Sequence, residues 1–319
     1  MSDPFKLIEA LDYKGLEAYL KVENINVLNE HKQSLLDAAI ASEFDDAFDL
    51  LIKNYINLNT LDDSGNTPLM YSILYNKIGY FKRLVREGAN LNLTNNKGES
   101  AIMIALNQRK MDMAHILLDS GVDLKVVDKN DENICFSIVR SHNLPLLKEI
   151  IAKNKNLLFS INYTRRNLLH EACMVKDHNI ALYLLNNGLL ANSADNFGET
   201  PIFFAAREKD YDMIKLLISY GAIIEKRNGF YETVLDIAKG EIHDYIEYQM
   251  QSVRYNRYLK KYPLHVAVIN NDFLRVKQQA NRYNMNKKDD FNYRPIDYAR
   301  LLNYTDSYNL LKQYEKLKN

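Results

Sequence analysis

The sequence predicts an all-α solenoid, a row of helix-turn-helix units joined by hairpin-like loops. Three observations carry this. Glycines recur at a fixed distance: Gly65 and Gly98, Gly88 and Gly121, and Gly188 and Gly221 are each 33 residues apart. The residue before a short apolar run keeps the same count, at Ser34, Thr67, Ser100, Asn133, Asn167, Thr200 and Thr233, with steps of 33, 33, 33, 34, 33 and 33. Between these marks each segment holds two helical patterns. The clearest is 62–92, DDSGNTPLMYSILYNKIGYFKRLVREGANLN. A period in this range marks an array of stacked units in which each touches only its neighbours.

Each part of the repeated box has a physical reason. Thr or Ser ahead of a helix caps its first free N–H groups, and Pro at the first helical position forfeits no hydrogen bond. Leu36, Leu69, Ile102, Leu169, Ile202, Leu235, Leu264 and Ile296 share one slot and are expected to point into the stack. Ala39, Ala105, Ala172, Ala205, Ala238, Ala267 and Ala299 share another, where a small side chain lets helices approach closely. Gly after the second helix supplies a left-handed C-cap.

The boxes TPLMYS at Thr67, TPIFFA at Thr200, NLLHEA at Asn167 and YPLHVA at Tyr262 resemble the T-P-L-H-x-A signature of the ankyrin repeat, which has this period. Weaker copies are SLLDAA at Ser34, SAIMIA at Ser100, NICFSI at Asn133, TVLDIA at Thr233 and RPIDYA at Arg294. The resemblance runs from Asn29 onward and implies an ankyrin-repeat solenoid of about nine repeats.

Taken in order, residues 4–22 read as an N-terminal capping helix pair. Copies follow at 30–59, 62–92, 95–125, 128–158, 162–192 and 195–225. The fourth is degenerate, with Asn133 for Thr, Asp131 in the glycine slot, no terminal Gly near Asn154 to Asn156, and Pro145 opening its second helix; it is expected to be a soft point. The seventh ends in EIHDYIEYQMQSVRYNRYL without a glycine stop, and the step to Tyr262 shortens to 29. A junction is therefore expected at about 241–258. The reading is an array over 1–250, the cap plus seven repeats, and two further repeats with a C-cap over 251–319, either continuing the stack or set at an angle to it.

Composition bounds the function. Forty-one Lys and Arg balance forty-one Asp and Glu, so no global charge draws the chain to nucleic acid or anionic membrane. Cys135 and Cys173 are too few for a disulfide scaffold or a zinc site, which suits a reducing compartment. No run approaches the ~20 apolar residues of a membrane span, and residues 1–11 lack a signal-peptide core. The expected setting is the cytoplasm of the producing cell, or of a host cell if the chain is exported by a non-cleaved signal. A monomer without cofactor or metal is expected.

No residue pattern indicates catalysis. His170 and His265 sit where the ankyrin box usually has His, and the resemblance implies a ring bonded to neighbouring loop backbone. His115, His178 and His243 lack a ligand partner at i+4, and His170 with Cys173 makes only half a metal site. The pairs Asp45–Asp46, Asp62–Asp63 and Asp289–Asp290 are adjacent, not opposed across a cleft. Glycines form neither G-x-G-x-x-G nor a P-loop.

The loop tips are more informative. From the fifth copy onward each tip carries an aromatic: Tyr163, Phe197, Phe230, Tyr258 and Phe291. In the ankyrin family the tips and first-helix ends form the concave binding face, to which Tyr75, Asn107, Gln108, Arg140, Arg207 and Glu208 would add. Aromatics and Arg dominate interface energies when buried by a partner; the competing reading is rings that stiffen the stack. The expected function is a non-enzymatic protein-protein interaction module, binding through Tyr75, Arg140, Tyr163, Phe197, Arg207, Phe230, Tyr258 and Phe291. Abundant Asn, Lys, Ile and Tyr suggest an AT-rich genome, as of an intracellular or host-associated bacterium or some large viruses; for chains from such sources the ankyrin resemblance implies a secreted effector, bacterial in the first instance, that acts on host proteins. A toxin-neutralising or chaperone-like role is the alternative. The stretch Arg254–Tyr262, RYNRYLKKY, offers a further one: single-stranded nucleic acid held by Arg254, Arg257, Lys260 and Lys261 with interleaved tyrosines, disfavoured by the zero net charge.

Overall fold

The computed structural model describes residues 3–316. Among these residues the chain is helical, with three isolated bridges, Leu28 to Ser34, Thr94 to Ser100 and Ile161 to Asn167, and no strand. The bridges close the hairpin-like loops just ahead of a helix.

The first helices of six copies are Leu35–Ala41, Pro68–Leu74, Ala101–Asn107, Ile134–Arg140, Leu168–Met174 and Pro201–Arg207. Each begins one residue after its box residue. At seven residues none would hold alone, so capping and stacking sustain them. Ser34, Thr67, Asn133 and Asn167 accept a backbone N–H of the first turn. Ser100 and Thr200 keep the extended cap backbone without the bond, and their buried hydroxyl oxygens have no partner.

A left-handed residue then reverses the chain into the second helix: Glu43, Asn76, Arg109, His142, Lys176 and Lys209. The second helices are Asp45–Lys53, Ile78–Arg86, Met111–Asp119, Leu144–Lys153, His178–Asn186 and Tyr211–Ser219. Gly88, Gly121, Gly188 and Gly221 end four of them at positive φ, as the spacing predicts. The fourth copy, without that glycine, ends in a 3-10 turn, Lys155–Phe159, that buries Leu157 and Leu158. Pro145 lies in the first turn of its second helix.

The recurrent apolar slot forms the core. Leu36, Leu69, Ile102, Leu169 and Ile202 are fully buried, and so are Ala39, Ala105, Ala172 and Ala205. Phe48, Phe81, Phe136 and Phe203 fill the space between helices. The seventh copy departs from the pattern: its first helix is only Val234–Ile237, and Leu235 is half-buried.

The chain forms two compact units, Met1–Ile237 and Ala238–Asn319. The second opens with a continuous helix, Glu241–Lys261. The boundary expected at 250/251 falls inside it. No Gly or Pro lies between 241 and 261 to stop the helix, and Pro263 ends it by driving Tyr262 out of the α region. The second unit then repeats the helix-pair plan in Pro263–Ile269, Phe273–Gln279, Pro295–Leu301 and Thr305–Lys316, around Leu264, Val268, Val276, Ile296 and Leu311.

Candidate functional site

In the first unit the hairpin loops are built by one device used seven times. An Asn or Asp side chain accepts the backbone N–H two and four residues ahead. At Asp195 these come from Phe197 (2.9 Å) and Glu199 (2.9 Å); at Asn228 from Phe230 (2.9 Å) and Glu232 (2.9 Å). Asn29, Asp62, Asn95, Asp128 and Asn162 do the same. Such Asx turns hold a loop tip in one conformation. Asp62, of the adjacent pair Asp62–Asp63, is thus one member of a turn series that recurs once per period.

Consecutive tips are also joined by backbone. The N–H groups of Asp63, Asn96, Lys129, Tyr163, Asn196 and Gly229 donate to the carbonyls of His31, Ser64, Lys97, Asn130, Thr164 and Phe197. Gly98 shows why glycine is used where tips meet: φ is +80°, and a Cβ there would lie 2.6 Å from the Lys129 nitrogen.

This scaffold presents Tyr163, Phe197 and Phe230, whose residues are 61%, 44% and 64% exposed. The Phe197 and Phe230 rings lie nearly parallel, 13° apart with centroids at 6.4 Å. They brace one another and still offer open area, so stiffening and presentation coincide. Tyr231, next to Phe230 in the chain, is held left-handed at φ +63° and is 79% exposed; it was missed. Its signal was its place in the slot that glycine fills at Gly65, Gly98 and Gly198.

The first-helix ends behave differently. Arg140 bonds Glu132 (2.6 Å) and Glu171 (2.7 Å), both buried carboxylates. Arg207 forks onto the buried Glu199, one arm at 2.6 Å, and also lies 5.6 Å above the Phe204 ring. Both arginines neutralise charge that burial would otherwise make costly. That gives them a structural role that sequence spacing alone did not disclose. Tyr75 stays half exposed, its ring stacked on Tyr71 at 5.6 Å. Asn107 donates to Glu99.

In the second unit Phe291 occupies a loop tip, 68% exposed, in a turn closed by Asp289. Tyr258 does not. It lies within the helix Glu241–Lys261, half-buried, with its hydroxyl donating to Asp289 Oδ2 at 2.7 Å. The expectation of a tip there fails because the helix runs on through the position where a loop was read. The two rings still meet, with centroids 6.5 Å apart.

The other candidates for chemistry take structural posts. His170 is fully buried and its Nε2–H donates to the Glu199 carbonyl at 3.2 Å; His265 does likewise to Tyr293 at 3.0 Å. Burial pushes the His170 ring down to about 4. His178 pairs with Asp210. Asp289 receives two tyrosine hydroxyls, whereas Asp290 receives Lys261 and Tyr262. Cys135 and Cys173 are buried free thiols. Among the described residues no group of three or more His, Cys, Asp or Glu is placed to hold a metal, and no helix is long and apolar enough to cross a membrane.

Comparison with known proteins agrees with this architecture. A family model described as ankyrin repeats (3 copies) matches residues 7–95, 35–128 and 135–228. The chain belongs to the ankyrin-repeat family. A 102-residue segment is 34% identical to part of the tyrosine-protein kinase Shark of Drosophila melanogaster, covering 28% of this chain and 11% of that protein. The likeness therefore spans about a tenth of that relative's length.

Proposed function

We propose that this chain is a non-enzymatic interaction module whose first unit grips a protein partner along its hairpin tips, the concave face of the family. One observation carries the reading: Tyr163, Phe197 and Phe230 stand exposed on tips that hydrogen bonds have already fixed. A preordered surface loses little entropy on binding, and large rings supply most of the energy once a partner covers them. Arg140 and Arg207 enter this reading mainly as supports of the tips, with Tyr75 at the rim. The chain works as a monomer inside a cell.

A photo-crosslinking residue at Phe197 or Phe230, introduced in cells that make the protein, tests this. Discrete protein adducts are expected from both positions and not from Tyr55, which is 93% exposed at the end of a second helix. Equal adducts from all three positions, or none from the tips, would overturn the reading. The adduct also addresses the host-directed role that the family resemblance implies. A host protein supports it, whereas a protein of the producing cell replaces it with an escorting or neutralising role.

A further inference from the structure

A second bond recurs between copies of the first unit. The Oδ1 atoms of Asn26, Asn59, Asn92 and Asn192 accept the N–H groups of Asn57, Asn90, Asp123 and Ile223, each 31 residues on, at 2.7–3.0 Å. Phe159 stands where this series calls for asparagine. Among the described residues the N–H of Leu190, at the same spacing from Phe159, has no acceptor. The exchange forfeits a hydrogen bond and adds little to the core, since Phe159 is 60% exposed. Stability therefore does not explain it.

The 3-10 turn Lys155–Phe159 brings the ring to a cavity of about 390 Å³, which the exposed Ile161 and Leu190 also line. Leu190 itself replaces the polar Asn57, Asn90 and Asp123 of its slot. Arg165 is the charged residue of the lining. It holds the left-handed tip position, at φ +62°, that glycine takes at Gly65, Gly98 and Gly198. Among the described residues its guanidinium has no ion pair or hydrogen bond. An open cation and an open N–H thus border one apolar cavity.

We infer that this cavity takes the C-terminal residue of a protein partner, its large apolar side chain against Phe159 and Leu190 and its carboxylate on Arg165 and the Leu190 N–H. A carboxylate has two oxygens, and a guanidinium with a backbone N–H satisfies both. The volume lies at the small end of ligand sites, so charge and apolar bulk must come from one residue. A terminal residue carries both on a single Cα, whereas an internal acidic residue needs a neighbour for the apolar part. The site is independent of the tip grip, because none of Tyr163, Phe197 and Phe230 lines it.

The test titrates the isotope-labelled full chain with a pentapeptide of glycine and serine ending in phenylalanine, to about 5 mM because one anchored residue binds weakly. Saturable amide shifts are expected at Phe159, Leu190 and Ser193. The same peptide with a carboxamide end should bind about tenfold more weakly, the worth of a charge-assisted bond. Arg165→Gln should remove most of that difference. Phe159→Asn restores the asparagine series, so it should abolish the shifts and leave the urea midpoint equal or higher. Phe197→Ala with Phe230→Ala should bind the peptide as the unaltered chain does, which separates this site from the tips. Four results would each overturn the inference: no saturable shifts at these amides, equal binding of acid and carboxamide, equal binding of a carboxamide peptide with an internal glutamate beside phenylalanine, or a lowered urea midpoint for Phe159→Asn, which would make the ring structural.

Discussion

At the scale of single residues the burial of His170 makes a stability prediction. Its folded-state value of about 4 lies below the ordinary 6.5, mainly through desolvation of the ring. The unfolded chain therefore takes up a proton that the folded chain refuses. His170 costs nothing above about pH 6.5, and stability drains away as pH falls from there towards 4, by up to about 3 kcal/mol at 1.36 kcal/mol per pH unit. Asp37 acts in the opposite sense: burial lifts it to about 6, so the folded chain keeps its proton longer and gains stability as pH falls from 6 to 4. The two effects partly cancel in the intact chain. Urea midpoints of the wild type and His170→Gln, compared at pH 7.5 and pH 5, isolate the histidine. The variant should lose less stability on acidification than the wild type, and parallel losses would refute the assignment. The histidine's post was legible because its box position is a family trait, and the bond to the Glu199 carbonyl is the one the resemblance implies. The Arg140 and Arg207 ion pairs were not legible. Their partners Glu171, Glu132 and Glu199 are reached only once the period is wound into helices.

At the scale of elements, the same φ does not mean the same cost. Gly98 and Gly121 both sit near φ +80°, but only Gly98 meets a neighbouring tip; a Cβ at Gly121 finds nothing within 4 Å. Gly121→Ala should cost about 1 kcal/mol, the price of a left-handed alanine. Gly98→Ala should cost that plus the displacement of Lys129 from the tip ladder, about 2–3 kcal/mol in all. Equal urea midpoints for the two variants would show that the ladder yields without loss. The starts of the first helices were legible to the residue, because capping and proline chemistry act locally. The reversals between paired helices were not, since Glu43, Asn76, Arg109, His142, Lys176 and Lys209 share a left-handed backbone without sharing a side-chain type. Their position is imposed by the two helices they join. The same reason hid Tyr258: a helix that continues is marked in sequence only by the absence of a stop.

At the scale of the molecule, the division into two units limits how far damage travels. In a stack, stability is a sum of unit and interface terms, so a loss in one region stays there unless the interfaces are strong enough to share it. Leu311 is buried in the core of the second unit, against a cluster that includes Leu264, Val268 and Val276. Leu311→Ala should cost about 2–4 kcal/mol there, as a buried leucine leaves a cavity that the surroundings only partly fill. Amide hydrogen exchange reads where the cost falls. Protection should drop over Pro263–Ile269 and Pro295–Leu301 and persist over Ala101–Asn107 and Ile134–Arg140, which lie in the first unit. A uniform drop would mean that the chain folds as one cooperative block. The Phe197 cross-link would then weaken under a core substitution in either unit. Local loss would instead leave the first unit's tips in place, so the same variant should keep the Phe197 cross-link at full yield.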